Sequence, residues 1–274
     1  MVPRESGTLP PVAARLDTPS VARVYDYYLG GTTNWVVDRE FGQQVLDRFP
    51  LTRHIARAHR LFLQRVVRHL VGRGVRQFLD IGAGVLTSGA THELAPDARV
   101  VYADHDPVAV AHAELVLDEH GDPHRQAVVE ADLRAPAELW QRALDTELLD
   151  PGEPVAVLLI AVMHLRQPDA WQREIGPDAV AGLRDLLPRG AYLAISHTTD
   201  DGVDDATRET LAGLQRLYER CDSVGVTWRS RADIAALLGD FRLVGPGWTT
   251  AAAWQEGEPV TGGTAVWAGL GAKP

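Results

Sequence analysis

The chain has 274 residues, 45% of them hydrophobic, which is enough for one large α/β domain with a full core. Its formal net charge of −10 argues against broad nucleic-acid binding, because affinity for phosphates depends on an excess of Lys and Arg. No apolar run approaches the roughly 20 residues that a membrane span needs, and the N-terminus lacks the apolar segment of a signal peptide.

The cysteine and histidine content indicates the compartment and argues against a metal site. Cys221 is the single cysteine, so no intrachain disulfide can form, and we expect a cytoplasmic protein. The 10 histidines lie at irregular intervals without the spacing of zinc ligands. We therefore expect no bound metal.

The N-terminal part of the chain is predicted to be helical after a disordered start. Residues 1–17 are rich in proline with few large apolar groups, and we expect them to be disordered. An amphipathic stretch over 20–49, broken by Gly30 and Gly31, predicts two short helices around a loop. Thr52 is the predicted N-cap of a long helix that runs to about Val71.

Strand-like and helix-like segments alternate through the rest of the chain. Apolar runs predict seven strands, at 76–81, 99–103, 126–130, 154–161, 190–196, 241–245 and 264–268. Helical patterns fill the gaps, at 107–119, 169–187, 206–219 and 232–238. This alternation is typical of a parallel sheet covered by helices. Residues 245–263 leave no room for a full helix, so we expect the last two strands to form a long hairpin, with one antiparallel strand at the sheet edge.

These patterns divide the chain into three parts. We expect residues 1–17 to form a disordered N-terminus, residues 18–72 a helical extension and residues 73–274 the α/β domain. In that domain we expect a three-layer sandwich around a mostly parallel seven-stranded sheet.

A glycine-rich segment after the first strand is the strongest indication of function. The segment 78–84 is a short apolar run that ends in Asp80 and continues into Gly82 and Gly84. Glycines at this point let the backbone turn sharply and approach a ligand. The next strand ends in Asp104, 20 residues after Gly84, a spacing that suits delivery of a carboxylate to a ribose. The chain is therefore predicted to bind a nucleoside-containing cofactor.

The charge around the glycine loop favours one cofactor over another. Thr87 stands where a dinucleotide-binding loop has its third glycine, and the Asp80 carboxylate would repel a pyrophosphate. S-adenosylmethionine carries a sulfonium and an ammonium group and no phosphate, so it suits an acidic site. NAD, and with it a nicotinamide-dependent oxidoreductase, remains an alternative at this point.

Several motifs together resemble a known family. They are Ala22–Gly31 (ARVYDYYLGG) with Asn34 and Asp38-Arg39, then Phe78–Gly82, Val100–Pro107, Ala131–Arg134 and Leu158–His164. The succession resembles class I S-adenosylmethionine-dependent methyltransferases, and in particular an actinobacterial family of S-adenosyl methyltransferases long catalogued as a domain of unknown function. The resemblance covers nearly the whole chain from about residue 18 and implies a Rossmann-like α/β fold.

The resemblance also implies roles for individual residues. Asp80 would hold the ammonium group of the cofactor, Asp104 both ribose hydroxyls, and Asp132 with the Leu133 backbone the adenine amino group. The full cofactor-binding set that it implies is Tyr25, Gly31, Asp80, Gly82, Gly84, Asp104, His105, Asp106, Asp132, Leu133 and Ala161. The aromatic residues beside Gly30 and Gly31 would form the lid.

The methyl acceptor is less defined by the sequence. Methyl transfer is an in-line displacement, and an oxygen or weak nitrogen acceptor would want a general base. His164 and His197 follow two predicted strands where such a base could sit, and a structural role is the alternative for each. The strand end before His164 lacks the Asn/Asp-Pro-Pro-aromatic signature of enzymes that methylate nucleobase or glutamine amino groups. We expect a small-molecule acceptor, without a membrane or nucleic-acid partner.

Two further features leave alternatives open. Arg53, Arg57, Arg60 and Arg68 fall on one face of the predicted long helix, either as a dock for an anionic ligand or as a solvated face. Trp228, Trp248 and Trp254 could line an acceptor pocket or pack in the core. A non-catalytic S-adenosylmethionine sensor is the alternative to a methyltransferase.

Overall fold

The computed structural model describes residues 17–87, 89–220, 225–254 and 265–274. The seven strands are β1 Gln77–Ile81, β2 Arg99–Asp104, β3 Gln126–Glu130, β4 Ala156–Ile160, β5 Tyr192–Thr198, β6 Arg242–Thr250 and β7 Val266–Ala272. The helices are α1 Val21–Leu29, α2 Val36–Arg48, α3 Leu51–Gly72, α4 Thr91–Leu94, α5 Pro107–His120, α6 Pro136–Asp145, α7 Gly176–Leu186, α8 Asp205–Arg220 and α9 Arg231–Ala236. No helix within these ranges is long and apolar enough to cross a bilayer.

The strands form one sheet in the order β3-β2-β1-β4-β5-β7-β6. Neighbours from β3 to β5 pair in parallel, and β7 pairs antiparallel with β5 on one side and β6 on the other. All seven predicted strands are confirmed, as is the mostly parallel sheet. The expected antiparallel pairing lies at the edge of the sheet, where β7 is inserted between β5 and the edge strand β6.

Helices cover both faces of the sheet, so the predicted three-layer sandwich is also confirmed. On one face Phe62 and Leu70 of α3 pack on buried strand residues such as Phe78. On the other face Leu139 of α6 and Leu183 of α7 pack on the opposite sides of the same strands. Because α3 shares its core with the sheet, it helps to build the edge at which the parallel strands end.

The structure corrects several local predictions. Pro50, not Thr52, occupies the N-cap of α3, and the Thr52 hydroxyl is buried without a partner within the described residues. The predicted helix at 169–187 begins only at Gly176, because 165–175 forms an irregular loop closed by Asp169 and Glu174. Helices α4 and α6 lie in gaps between strands for which no helix bounds were predicted from the sequence. The disorder expected for 1–17 falls almost wholly outside the described residues.

A buried ion pair holds the N-terminal helices together. The Arg23 Nε–H donates to Asp38 Oδ2 over 2.6 Å, and the guanidinium lies 3.9 Å from the ring centroid of Trp35. The Asp38 carboxylate also accepts the backbone N–H groups of Ser20 and Trp35. Asp38 thus fixes the start of both α1 and α2, which explains why Arg23, Trp35 and Asp38 occur together in the N-terminal motif.

Replacement of Asp38 by alanine is expected to destabilise the protein by about 3–5 kcal/mol, because it leaves Arg23 buried without its counter-charge. Thermal or urea unfolding measures this loss. Asp47→Ala is the matched control, since Asp47 is exposed on α2 and, among the described residues, accepts a hydrogen bond only from Gln43 one turn away. Equal stabilities of the two variants would contradict the proposed role of the ion pair.

Candidate functional site

A cavity of about 550 Å³ opens at the carboxyl ends of the parallel strands. It lies between the loops after β1, β2, β3 and β4 on one side and α1, α3 and α8 on the other. Its volume falls within the roughly 300–1,000 Å³ typical of small-ligand sites. In an open α/β sheet, this edge is where ligands bind.

Two glycines shape the floor of the cavity. Gly82 and Gly84 have φ of +69° and +62°, which L side chains rarely adopt. A Cβ on Gly82 would lie 2.6 Å from the side chain of Val162, and one on Gly84 would lie 3.4 Å from Cβ of Ala22 in α1. The loop after β1 therefore needs glycine at both positions for its turn, and at Gly82 also for the close approach of Val162.

Asp104 joins this loop to the end of β2. Its Oδ2 accepts the Gly84 N–H over 2.8 Å, and its Oδ1 accepts the Asp106 N–H over 2.9 Å. Burial raises the pKa of Asp104, while these two N–H groups oppose the rise. A carboxylate oxygen has room for a second donor, so Asp104 can still accept two hydroxyl groups from the cavity side.

Asp80 is the second buried acid of the cavity. Its Oδ2 accepts the Thr91 hydroxyl over 2.7 Å, and its Oδ1 accepts no hydrogen bond from any residue that the structure describes. Burial raises the pKa of Asp80 to about 6, although the Thr91 hydrogen bond and the positive charge of Arg60 lower it. A buried carboxylate with an unused oxygen is suited to a cationic ligand.

Two further acids that line the cavity, Asp106 and Asp132, are already engaged. Asp106 caps α5 by accepting the Val108 N–H, and its other oxygen accepts the Ser20 hydroxyl. Asp132 is held by Arg134, whose Nε–H and terminal N–H groups contact both carboxylate oxygens. Burial would raise the pKa of Asp132, but the Arg134 contacts outweigh it and lower the pKa. Both residues line the cavity, yet neither has an oxygen as free as Asp80 Oδ1.

Some aromatic residues of the N-terminal segment line the cavity, and others lie outside it. Tyr25 and Tyr28 line it, whereas the Tyr27 hydroxyl bonds Gln43 on the outside and Trp35 lies under Arg23. The Tyr25 hydroxyl donates to the Ala56 carbonyl over 3.1 Å, so its ring borders the cavity.

Gly31 is the one residue of the implied cofactor set that does not line the cavity. A Cβ at this position would lie 1.8 Å from Oδ1 of Asp26, whose backbone carbonyl accepts the Gly31 N–H. The other members, including His105, Leu133 and Ala161, do line the cavity. Gly31 instead permits the tight turn between α1 and α2.

Ala161 is strained where it meets the cavity. It is a non-glycine residue with φ of +61°, and its N–H is shared between the backbone oxygen and the hydroxyl of Ser196, each at 3.2 Å. Such a conformation costs about 1–3 kcal/mol and persists only where neighbouring structure imposes it. It turns the chain after β4 so that Val162 packs on Gly82 and His164 reaches the cavity.

The two predicted catalytic histidines differ in their placement. His164 lines the cavity, and its Nδ1 is buried without a hydrogen-bond partner in the described part of the chain, so Nε2 is the nitrogen that faces the cavity. Burial lowers the pKa of His164 to about 4, and Arg229 adds to this effect, so the ring is neutral at pH 7.

The structure does not bring His197 to the cavity. The ring is fully buried, with Nδ1 bonded to the Thr198 carbonyl and Nε2 accepting from Arg229 over 3.0 Å. The prediction that His197 acts as a base is therefore replaced by a structural role, because both ring nitrogens are occupied. Sequence position alone could not distinguish it from His164, since both follow a strand.

The sequence reasoning missed several residues that line the cavity. His59 of α3 lies below His164, with ring centroids 5.3 Å apart, and both its nitrogens contact hydroxyl groups of β5. Of the three late tryptophans, Trp228 lines the cavity, whereas Trp254 packs against Phe62 in the core. The apolar end is formed by Tyr28, Ile55, Leu214, Tyr218, Val226 and Trp228, of which Ile55, Leu214, Tyr218 and Val226 were missed.

The donors and acceptors of this site fit S-adenosylmethionine. Asp80 offers a carboxylate for a cation, Asp104 offers two acceptor oxygens for a diol, and the glycine loop allows close approach of the backbone. The two buried carboxylates would repel a pyrophosphate. The sheet order and this site together define a class I S-adenosylmethionine-dependent methyltransferase.

Comparison with known proteins identifies the family. The family model described as S-adenosyl methyltransferase matches residues 11–274, and the chain belongs to that family. A crystal structure of a Thermobifida fusca protein, provisionally described as a methyltransferase, shares 32% identity at a TM-score of 0.82, covering 97% of this chain and 99% of its own. A DUF574 family protein from Streptomyces avermitilis shares 29% identity at a TM-score of 0.82, covering 94% and 98%. The resemblance to a family once catalogued by a domain number is confirmed.

More distant structures share the fold alone. Magnesium protoporphyrin IX methyltransferase from Synechocystis, solved with S-adenosylhomocysteine, shares 17% identity at a TM-score of 0.52, covering 92% of this chain and 98% of its own. No curated protein sequence matches this chain.

The raised pKa of Asp80 predicts a pH-dependent cost to stability. Its pKa rises from 3.8 to about 6 on folding, so the folded state is favoured most below pH 4 and loses up to about 3 kcal/mol as the pH rises through 6. Asp80→Asn should therefore raise the melting temperature of the ligand-free protein at pH 7.5 and lose this advantage near pH 4. The exposed Asp97→Asn is the control. If Asp80→Asn were no more stable than the wild type at pH 7.5, this would contradict the raised pKa of Asp80.

Proposed function

We propose that this methyltransferase acts on an uncharged, largely aromatic small molecule that binds at the apolar end of the cavity. The observation that carries the proposal is the composition of that end, where six apolar or aromatic side chains from α1, α3, α8 and the segment after α8 meet. They are Tyr28, Ile55, Leu214, Tyr218, Val226 and Trp228, and none of them carries a charge. Apolar lining with few polar groups is typical of sites for small molecules.

The proposed acceptor lies beside the cofactor, with His164 between the two. The His164 ring is 6.3 Å from that of Trp228 at the apolar end, and its segment packs on the glycine loop through Val162. Bound S-adenosylmethionine supplies an electrophilic methyl group on its sulfonium. Asp80 holds the ammonium group, Asp104 holds the ribose hydroxyls, and Tyr25 of α1 covers the site from above.

His164 is the group best placed to take a proton from the acceptor. Its ring is neutral at pH 7, so Nε2 can accept a hydrogen bond from a hydroxyl group and receive its proton. Enclosure of the cavity by α1, α3 and α8 keeps water away from the reacting groups. We propose that residues 18–72 act as the lid, in support of which α1 touches the glycine loop through Ala22.

A turnover screen tests the proposed acceptor class and the role of His164. Purified protein is incubated with S-adenosylmethionine and a panel of neutral phenols and aromatic alcohols, with charged analogues in parallel, and release of S-adenosylhomocysteine is measured. Turnover is expected for neutral members, and His164→Gln should lower it by about 10²- to 10⁴-fold without changing cofactor affinity. The exposed His54→Gln is the control.

Two results of the screen would contradict the proposal. Turnover restricted to charged acceptors would overturn the assignment of the apolar end. Tight cofactor binding without turnover on any acceptor would favour the alternative of a non-catalytic sensor.

The ribose assignment predicts the effect of removing Asp104. Asp104→Ala should weaken S-adenosylhomocysteine binding by about 1–3 kcal/mol, the cost of leaving polar partners unpaired. Isothermal titration calorimetry measures the change. Glu130→Ala is the matched control, because Glu130 ends the neighbouring strand but points outside the cavity. Unchanged affinity in the Asp104 variant would contradict the assignment.

A further inference from the structure

The arginines predicted on one face of the long helix do not share one environment. Arg53, Arg57 and Arg68 are exposed on α3, whereas Arg60 is half-buried and lines the cavity. One terminal nitrogen of Arg60 donates to the Thr87 hydroxyl over 3.0 Å, and the other donates to the Gly89 carbonyl over 3.4 Å. Arg60 is thus a cation inside a cavity whose other charged groups near the glycine loop are acids.

Arg60 keeps donors available for a ligand. A guanidinium has five N–H groups, and the contacts of Arg60 with the described residues use two of them. Within the described ranges, Arg60 forms no ion pair with a carboxylate of the protein, unlike Arg23, Arg134 and Arg229. A half-buried arginine whose only partners are a hydroxyl and a carbonyl is suited to receive an anion.

Because Arg60 lies beside Asp80, the anion that suits it is one attached to a cationic group. Both side chains border the segment after β1, since Arg60 contacts Thr87 and Asp80 contacts Thr91. The methionine part of the cofactor carries an ammonium and a carboxylate on the same carbon. A site with Asp80 alone would attract the first group and repel the second, so the zwitterion needs a cation next to the acid.

We propose that Arg60, from a helix outside the strand-loop-helix unit, binds the carboxylate of the cofactor's amino acid moiety while Asp80 binds its ammonium group. This inference rests on the proposed position of the cofactor. It gives α3 a direct role in cofactor selection, because a nucleoside without the amino acid carboxylate gains nothing from Arg60.

A comparison of three ligands tests this assignment. S-adenosylhomocysteine has both charged groups, its decarboxylated analogue lacks the carboxylate, and 5′-methylthioadenosine lacks the whole amino acid part. For Arg60→Met we expect a loss of roughly 10- to 100-fold in affinity for S-adenosylhomocysteine, the range of a hydrogen bond to a charged group. Affinity for the other two ligands should change by less than about twofold.

Matched variants separate this role from a structural one. Arg57→Met changes an exposed arginine of the same helix and should bind all three ligands as the wild type does. Arg60→Lys keeps the charge and should recover part of the affinity for S-adenosylhomocysteine. An equal loss for all three ligands in Arg60→Met would show that Arg60 only supports the loop, and an unchanged affinity would overturn the assignment outright. Failure of the wild type to bind S-adenosylhomocysteine would instead count against the cofactor site itself.

Discussion

The site depends on two carboxylates that are buried next to each other without a strong cationic partner. Asp80 and Asp104 end adjacent parallel strands, and no Lys or Arg of the described residues forms an ion pair with either. The pKa of each is raised by burial, so the ligand-free fold carries an electrostatic cost at neutral pH. A ligand that brings a cation and two hydroxyl groups relieves this cost. The same two carboxylates therefore make the stability of the ligand-free protein depend on pH and favour a cationic cofactor.

The N-terminal helices complete this site from the other side. Ser20 at the start of α1 donates to Asp106, which caps α5 two residues after the buried Asp104. The Arg23–Asp38 pair in turn fixes the start of α1. Residues that form a motif in the sequence therefore act mostly on one another, and through this network they hold Tyr25 against the cavity.

Much of the fold could be predicted because its determinants are local. Each central strand is a short run of buried apolar residues, and Asp80 and Asp104 lie at the strand ends where such runs stop. Thr52 was misplaced as an N-cap because α3 begins one residue before it, at Leu51, which leaves Pro50 in the N-cap position without a side-chain hydrogen bond. Likewise, the start of α7 depends on hydrogen bonds of Asp169 and Glu174, which helical periodicity does not reveal.

The apolar end of the cavity, and the fact that Arg60 alone of the four helix arginines lines the cavity, could not be predicted, because they depend on long-range packing. Tyr28 and Tyr218 are 190 residues apart in sequence, yet their hydroxyl oxygens lie 3.0 Å from each other. Both Asp132 oxygens contact Arg134, an interaction that the sequence does not reveal. The residue types at the strand ends predict the chemical character of the site. Tertiary contacts decide which of these side chains still have free hydrogen-bonding atoms.

The most direct measurement is a crystal structure of the protein with S-adenosylhomocysteine. The account predicts ribose hydroxyls within hydrogen-bond distance of both Asp104 oxygens and the ammonium group at Asp80, with α1 covering the ligand. A ligand bound elsewhere, or one whose amino acid part points away from Asp80, would contradict the account.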